Sequence, residues 1–251
     1  MLTASRKIDG QKLYAFQADK IDAPFACPTC DTEVVLRKGH IKVHHFAHKP
    51  PVTCYRGQGE TVEHMRCKLD VFNALSRAAG VQSVELEKDF GGSVADVFAR
   101  IRGVPVAIEV QRSKLSVSEI TRRTLAYNRL GVYVLWIALP RADLRTKRIS
   151  ANAWEKWCHA AYYGNVYYWR DGATFEAFHL GDHFIHVPSS SWFEAGGYEQ
   201  PAGGYDRRSK RWRTPQLRGA FDLATDFVPK TRGPYSKGSV HVPACRIYTM
   251  P

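Results

Sequence analysis

The sequence predicts a mixed α/β (α+β) fold, a mixed sheet flanked by helices, and two observations predict it. Segments with apolar residues at helical spacing, 60–79 and 116–130, enclose three short β-rich runs at 84–88, 94–101 and 104–111. The run 132–139 is apolar without alternation, as expected of a strand covered on both faces.

The elements follow in order. Residues 9–48 hold short alternating strands, including 33–37 and 41–45, with Lys38-Gly39-His40 as the turn between them. A Pro-rich link, Lys49-Pro50-Pro51, leads past Cys54 and Gly57 to the first helix, for which Gly80 is the natural stop. Arg102-Gly103 joins the second and third strands as a two-residue hairpin loop. Ser116 with Glu119 three residues on is a capping-box pattern, so the second helix opens there and stops at Gly131. Beyond Pro140 the spacing predicts a helix over 151–163 and strands over 166–169, 174–180 and 183–187, turned by Arg170-Asp171-Gly172 and Gly181-Asp182. From Ser189 onward Gly, Pro, Ser and Arg dominate. Residues 201–251 carry ten Lys or Arg against three Asp or Glu, so an irregular basic tail is expected. Four regions result: a small β module at 1–57, a core at 58–140, a helix and hairpin at 141–188, and the tail at 189–251.

A formal charge of +12 points to a polyanionic partner such as nucleic acid. The apolar run 132–139 falls far short of the roughly 20 residues needed to span a bilayer, and residues 1–10 lack the apolar centre of a secretory signal. No membrane partner and a cytoplasmic location are therefore expected. The cysteines look more like metal chemistry than a disulfide framework; Cys67, Cys158 and Cys245 are scattered and read as ordinary thiols.

The hairpin carries the chemistry. With Ile101 opposite Val104, Asp96 falls directly opposite Glu109, and Gln111, two residues on, shares that face. Facing like charges destabilise a sheet unless something compensates, and both carboxylates sit in apolar strands where an unpaired charge is costly. A divalent cation is the expected compensation. Two carboxylates with a strand carbonyl suit Mg²⁺, or Mn²⁺, which would activate a bound water against a phosphodiester. In the preceding helix Glu60, His64 and Lys68 recur at steps of four and form a polar row, opposite an apolar stripe of Val62, Met65, Leu69 and Phe72 expected to pack on the sheet.

A second cluster precedes it. Cys27 and Cys30 form a Cys-x2-Cys knuckle, followed by His45-Phe46-Ala47-His48 and then Cys54. Two thiolates and two further ligands would close a tetrahedral structural zinc site. His44, His45, His48 and Cys54 compete for the two remaining places, with His45 and His48 favoured and Cys54 the alternative.

Together these segments resemble the competence protein CoiA family, which is similar to nucleases of the PD-(D/E)XK fold. The resemblance rests on Cys27-Pro-Thr-Cys30, Gly39 with Lys42, His45-Phe-Ala-His48, Glu60-Thr-Val-Glu63-His64 with Lys68, and Ala95-Asp96-Val97. It continues in Ile108-Glu109-Val110-Gln111 with Ser113, and in Arg123-Thr124 with Tyr127 ahead of Val134-Leu135-Trp136-Ile137. It implies a zinc-finger-like first module, a nuclease-like core, and a role in handling DNA during uptake or recombination. Asp96, Glu109, Gln111, Glu60, His64 and Lys68 carry over as the catalytic set, and Arg112, Lys114, Arg123 and Tyr127 are the candidate nucleic-acid contacts. One departure matters: the lysine usual two residues after the glutamate is here Gln111, and Lys68 could reach in from the helix to replace it. The expected activity is a metal-dependent deoxyribonuclease. The alternatives are a nuclease fold that binds DNA or recruits recombination proteins without cleaving, and a zinc hydrolase using the Cys and His cluster itself.

Overall fold

The computed structural model describes residues 1–39, 42–54, 60–111 and 115–251. The first module is a five-stranded sheet of β1 (Thr3–Arg6), β2 (Lys12–Tyr14), β3 (Phe25–Ala26), β4 (Glu33–Arg37) and β5 (His45–His48), ordered β2-β1-β3-β4-β5. Its core is small, with Phe25 and Phe46 edge to face at 5.0 Å.

Helix α1 (Val62–Arg77) begins at Thr61, whose hydroxyl accepts the His64 N–H at 3.2 Å. Strands β6 (Val81–Asp89), β7 (Val94–Ile101) and β8 (Val104–Gln111) then run antiparallel. Arg102 and Gly103 both take positive φ, 50° and 79°, as a tight hairpin turn requires, and Arg102 is pinned by its N–H to Gly80 O at 2.7 Å. Helix α2 (Val117–Arg129) is capped by Ser116, which accepts the Glu119 N–H at 3.1 Å. It returns the chain to β9 (Tyr133–Ala138), parallel to β8. Val134, Leu135, Trp136, Ile137 and Ala138 are all buried, as the unbroken apolar run predicts.

β10 (Ile149–Ser150) and α3 (Ala153–Ala161) lead to β11 (Val166–Asp171), also parallel to β9, and to β12 (Thr174–Val187). The turn expected at Gly181-Asp182 is instead strand: Gly181 pairs with Thr214 and Asp182 with Arg213 of β15 (Tyr205–Asp222), and β12 runs unbroken. β13 (Ser190–Phe193) and β14 (Glu199–Ala202) form a small hairpin before β15. β16 (Val228–Arg232), β17 (Tyr235–Lys237), β18 (Val240–Val242) and β19 (Cys245–Thr249) complete the chain's elements.

The expected irregular tail is corrected by these strands. β15 pairs along β12, and β19 inserts beside β9 in parallel, Ile247 opposite Val134, with Ile247 and Tyr248 buried in the main core. Charge and glycine content misled because an antiparallel ribbon open to water carries Lys and Arg on its exposed side chains, while glycines sit where it turns or bulges, as at Gly203 and Gly219. β10, β11 and β12 thus share one sheet with β15, β16 and β19, while β13–β14 and β17–β18 form small two-stranded sheets of their own. Among the described residues no helix is long and apolar enough to cross a membrane.

α3 and β12 bring His159 Nε2 within 3.1 Å of His179 Nδ1. Burial, with His179 and Arg213 nearby, pulls the His159 imidazole down from 6.5 to about 4. The unfolded chain takes up this proton at a higher pH than the folded one, so the contribution is full above about 6.5 and is lost as pH falls toward 4. The drop in unfolding free energy from neutral to acid is therefore expected to be smaller for His159→Gln in urea titrations. Equal drops in the two proteins would sink this assignment.

Candidate active site and metal centre

Three elements converge on the carboxylates. The β7–β8 ladder runs from Ile101↔Val104 to Val97↔Ile108, as the turn predicts, and the next residues outward are Asp96 and Glu109. There the Asp96 side chain takes over from the backbone: its Oδ2 accepts the Val110 N–H at 2.9 Å.

α1 supplies the cations. His64 Nε2 donates to Val110 O at 2.9 Å and lies 3.4 Å from Asp96 Oδ2, while its Nδ1 is 3.4 Å from Glu60. Lys68 Nζ contacts Glu60, reaches Glu87 Oε1 at 2.7 Å and stands 3.6 Å from Asp96 Oδ1. Glu60 also holds the Met1 ammonium at 2.8 Å. Glu87 accepts the Leu2 N–H at 2.8 Å, the Thr3 N–H at 3.2 Å and the Thr3 hydroxyl at 2.7 Å, so β1 is tied into the same network.

Glu109 is held from the other helix. Arg123 Nη2 donates to both of its oxygens at 2.5 and 2.6 Å, and the Tyr127 hydroxyl donates at 2.5 Å.

These neighbours set the charges. Burial pushes the Glu109 carboxyl up to about 7, with Arg123 working against the rise and Asp96 adding to it. Burial acts on Asp96 in the same direction, but His64 and Lys68 outweigh it and hold Asp96 below the usual carboxylate range. Burial would lower His64, yet Asp96 and Glu60 carry it up to about 10, so it is a cation at neutral pH. Lys68 is likewise raised by Glu87, Glu60 and Asp96 against its burial.

The apolar stripe expected on α1 needs correcting. The buried positions are Met65, Cys67, Lys68, Val71 and Leu75, with Lys68 only 2 % exposed, whereas Val62 is 37 % exposed. Leu69 and Phe72 are half-buried, Phe72 lying 5.4 Å from Tyr14 and 5.9 Å from Phe16 of the first module. The helix turns its lysine inward because the carboxylates around it offset the desolvation of the ammonium. Glu60 stands just ahead of the helix rather than within it.

Oxygen donors suited to a hard divalent ion are present: Asp96, Glu109 and the Val110 carbonyl. In the described arrangement their charge is met by His64, Lys68 and Arg123, so the compensation attributed to a metal in the sequence is supplied by side chains. Gln111 ends β8 opposite Ala138 of β9. Arg123 and Tyr127, the candidate nucleic-acid contacts, both bond Glu109; Tyr127 is fully buried, where its hydroxyl needs an acceptor. Arg112 and Lys114 lie outside the described residues.

The residue that sequence reasoning missed is Glu87. It lies in Val84-Glu85-Leu86-Glu87-Lys88, where three of five residues are charged, so no apolar flank marks it as buried; in the fold it is buried, and its φ of +48° marks a strained backbone position.

The second centre lies in the first module. Ligand atoms of Cys27, Cys30, His48 and Cys54 lie within 4.8 Å of one another, with Cys30 Sγ 3.4 Å from His48 Nε2. A tight turn closes the knuckle, Asp31 N–H donating to Cys27 O at 2.9 Å. The Thr32 hydroxyl first, then His48 and Cys54, draw the Cys30 thiol down to about 6, so it is ready as a thiolate. Three sulfurs and an imidazole suit a closed structural zinc site. His45 is corrected out of this set in favour of Cys54. Residues 45–48 are strand, so side chains three apart leave opposite faces, and His45 Nδ1 instead meets Val43 O at 2.9 Å. A full set of four ligands leaves no open position for the zinc-hydrolase alternative.

Comparison with known proteins places these features. The family model described as "Competence protein CoiA, N-terminal domain" matches residues 8–56, and that described as "Competence protein CoiA, nuclease-like domain" matches residues 60–191. The curated competence protein CoiA of Bacillus subtilis (strain 168) is 27% identical over 114 residues, a match spanning 45% of this chain and 31% of that protein. No solved structure matches.

Proposed function

The chain belongs to the competence protein CoiA family, and from that premise we propose that it is a metal-dependent nuclease acting on DNA phosphodiester bonds. The observation carrying this reading is that Lys68 from α1 stands 3.6 Å from Asp96, supplying the cation that Gln111 lacks. Asp96 and Glu109, with the Val110 carbonyl, would hold Mg²⁺ or Mn²⁺. When bound, the ion lowers the pKa of a coordinated water and offsets charge on the phosphodiester.

This chain's own side chains do the rest. Lys68, held by Glu60 and Glu87, keeps a fixed positive charge beside Asp96. Glu60 and Asp96 orient His64 from its two ring nitrogens. His64 and Arg123 hold Val110 O and Glu109, the oxygens that would ligate the ion. The net charge of +12 favours a phosphate backbone, with salt-sensitive affinity.

A second reading follows from one contact: Arg123 and Tyr127 hold both Glu109 oxygens, which suits a nuclease fold that binds DNA or recruits recombination proteins without cutting.

Cleavage of single-stranded, duplex and branched DNA with Mg²⁺ or Mn²⁺ separates the two. Asp96→Asn is expected to reduce the rate by roughly a hundred- to a thousand-fold or more, the scale of losing a group that stabilises developing charge. Glu109→Gln is expected to do the same. Cleavage surviving both substitutions removes this site from the reaction, and no cleavage of any DNA form by the unsubstituted protein favours the binding module.

A further inference from the structure

A cleft of about 710 Å³ opens between α3, β12, β15 and the β16 to β18 segment, and shares no residue with the carboxylate centre. It is basic. Lys156, Lys210, Arg213, Arg232 and Lys237 line it, and its acid, Asp182, is engaged by Arg208 at 2.8 Å. None of those five cations has a carboxylate partner among the described residues.

The cations are placed by specific distortions of the chain. The β12–β15 register passes from Asp182↔Arg213 to Phe184↔Arg208, so residues 209–212 bulge opposite His183 alone and carry Lys210 outward. Tyr163, at φ 52°, turns back at the end of α3, and the Arg232 guanidinium lies 4.7 Å from its ring and 5.1 Å from that of Tyr235. Gly164 follows at φ 91°, a conformation that strains any residue with a Cβ, and a Cβ there would come within 3.1 Å of His179 Nδ1. Within this wall the Arg232 Nε–H is buried with no hydrogen-bond acceptor. A buried guanidinium donor without an acceptor is costly, and an oxygen from outside the chain would satisfy it once the wall shifts enough to admit one.

We propose that this cleft binds the phosphodiester backbone of a single-stranded nucleic acid. Several unneutralised cations along one cleft match a chain of regularly spaced phosphates better than a ligand carrying one or two charges. The volume is that of a small-ligand site, which has room for the backbone of one strand. The choice of polymer rests on the DNA-handling reading; the charge and the orphaned donor do not.

The test uses the full chain carrying Asp96→Asn, without added divalent ions, and follows the anisotropy of a fluorescein-labelled 20-nucleotide oligothymidylate. Lys210→Glu with Lys237→Glu, both at exposed residues, is expected to weaken binding about ten-fold or more. The slope of log K against log salt should become shallower by about 1.4, at roughly 0.7 per lost phosphate contact. Lys7→Glu with Lys20→Glu, an exposed pair of equal charge in the first module, should change affinity less than about two-fold. Circular dichroism confirms that each variant is folded. Three results overturn the proposal: equal weakening by both pairs, equal binding of a duplex of the same length, or displacement of the oligomer by equal concentrations of thymidine monophosphate or inorganic phosphate. Cleft-dependent binding by a protein that cuts no DNA keeps this site and rejects the nuclease reading. Cleavage by a protein whose binding ignores Lys210 and Lys237 does the reverse.

Discussion

Stripping metal from the Cys27, Cys30, His48 and Cys54 cluster is expected to unfold the first module, the largest single effect anticipated for this protein. The β1 to β5 sheet encloses a core of small residues, chiefly Ala4, Ala15 and Ala18 with Phe25, Val34 and Phe46. A core of that size contributes a few kcal/mol at most. Structural zinc has apparent binding energies of about 10–16 kcal/mol near neutral pH, comparable to the whole stability of an ordinary domain. Metal analysis should find one zinc per chain, and a strong chelator should erase amide-exchange protection across β1 to β5. Cys30→Ser should show the same loss without chelator. The effect should travel, because Leu2 and Thr3 hold Glu87 in the ion cluster. Purified protein without metal, or a chelated protein with unchanged protection, would refute the structural role.

Lys68→Met is expected to destabilise the chain by about 3–5 kcal/mol, the range for removing one partner of a buried ion pair. The lysine side chain is 3% exposed and faces Glu60, Glu87 and Asp96; methionine fills its volume and leaves three acids without their shared cation. For a chain of this size the melting temperature should fall by roughly 6–20 °C. Adding Glu87→Gln should restore part of the loss, since the amide oxygen still accepts from Leu2 and Thr3 while one charge is gone. A cost below about 1 kcal/mol in urea titrations would show that the cluster relaxes or takes up protons instead.

What the sequence reveals depends on how local its cause is. The β7–β8 register from Ile101↔Val104 to Val97↔Ile108 was legible because a two-residue turn at Arg102-Gly103 sets every pair behind it. The cysteine knuckle was legible from spacing. The inward turn of Lys68 was not, because hydropathy scores a lysine as exposed and cannot register three acids drawn from β6, β7 and the residue ahead of α1. His45 was misplaced because ligand spacing along the chain does not register that residues 45–48 form a strand, whose alternation turns His45 away from His48. The engagement of Glu109 by Arg123 and Tyr127 depends on how α2 lies across the sheet, which no spacing within either segment encodes.

The insertion of β19 beside β9 bears on how the protein is made. Val134 of β9 meets Ile247 about 110 residues later in the chain. At ribosomal speeds of about 5–20 residues per second, that flank of β9 waits roughly 6–22 s for its neighbour during synthesis. Until then an apolar strand edge stands open to other nascent chains, and pairings this distant in sequence also close slowly. The newborn polypeptide is thus exposed to aggregation through the interval between synthesis of β9 and of β19.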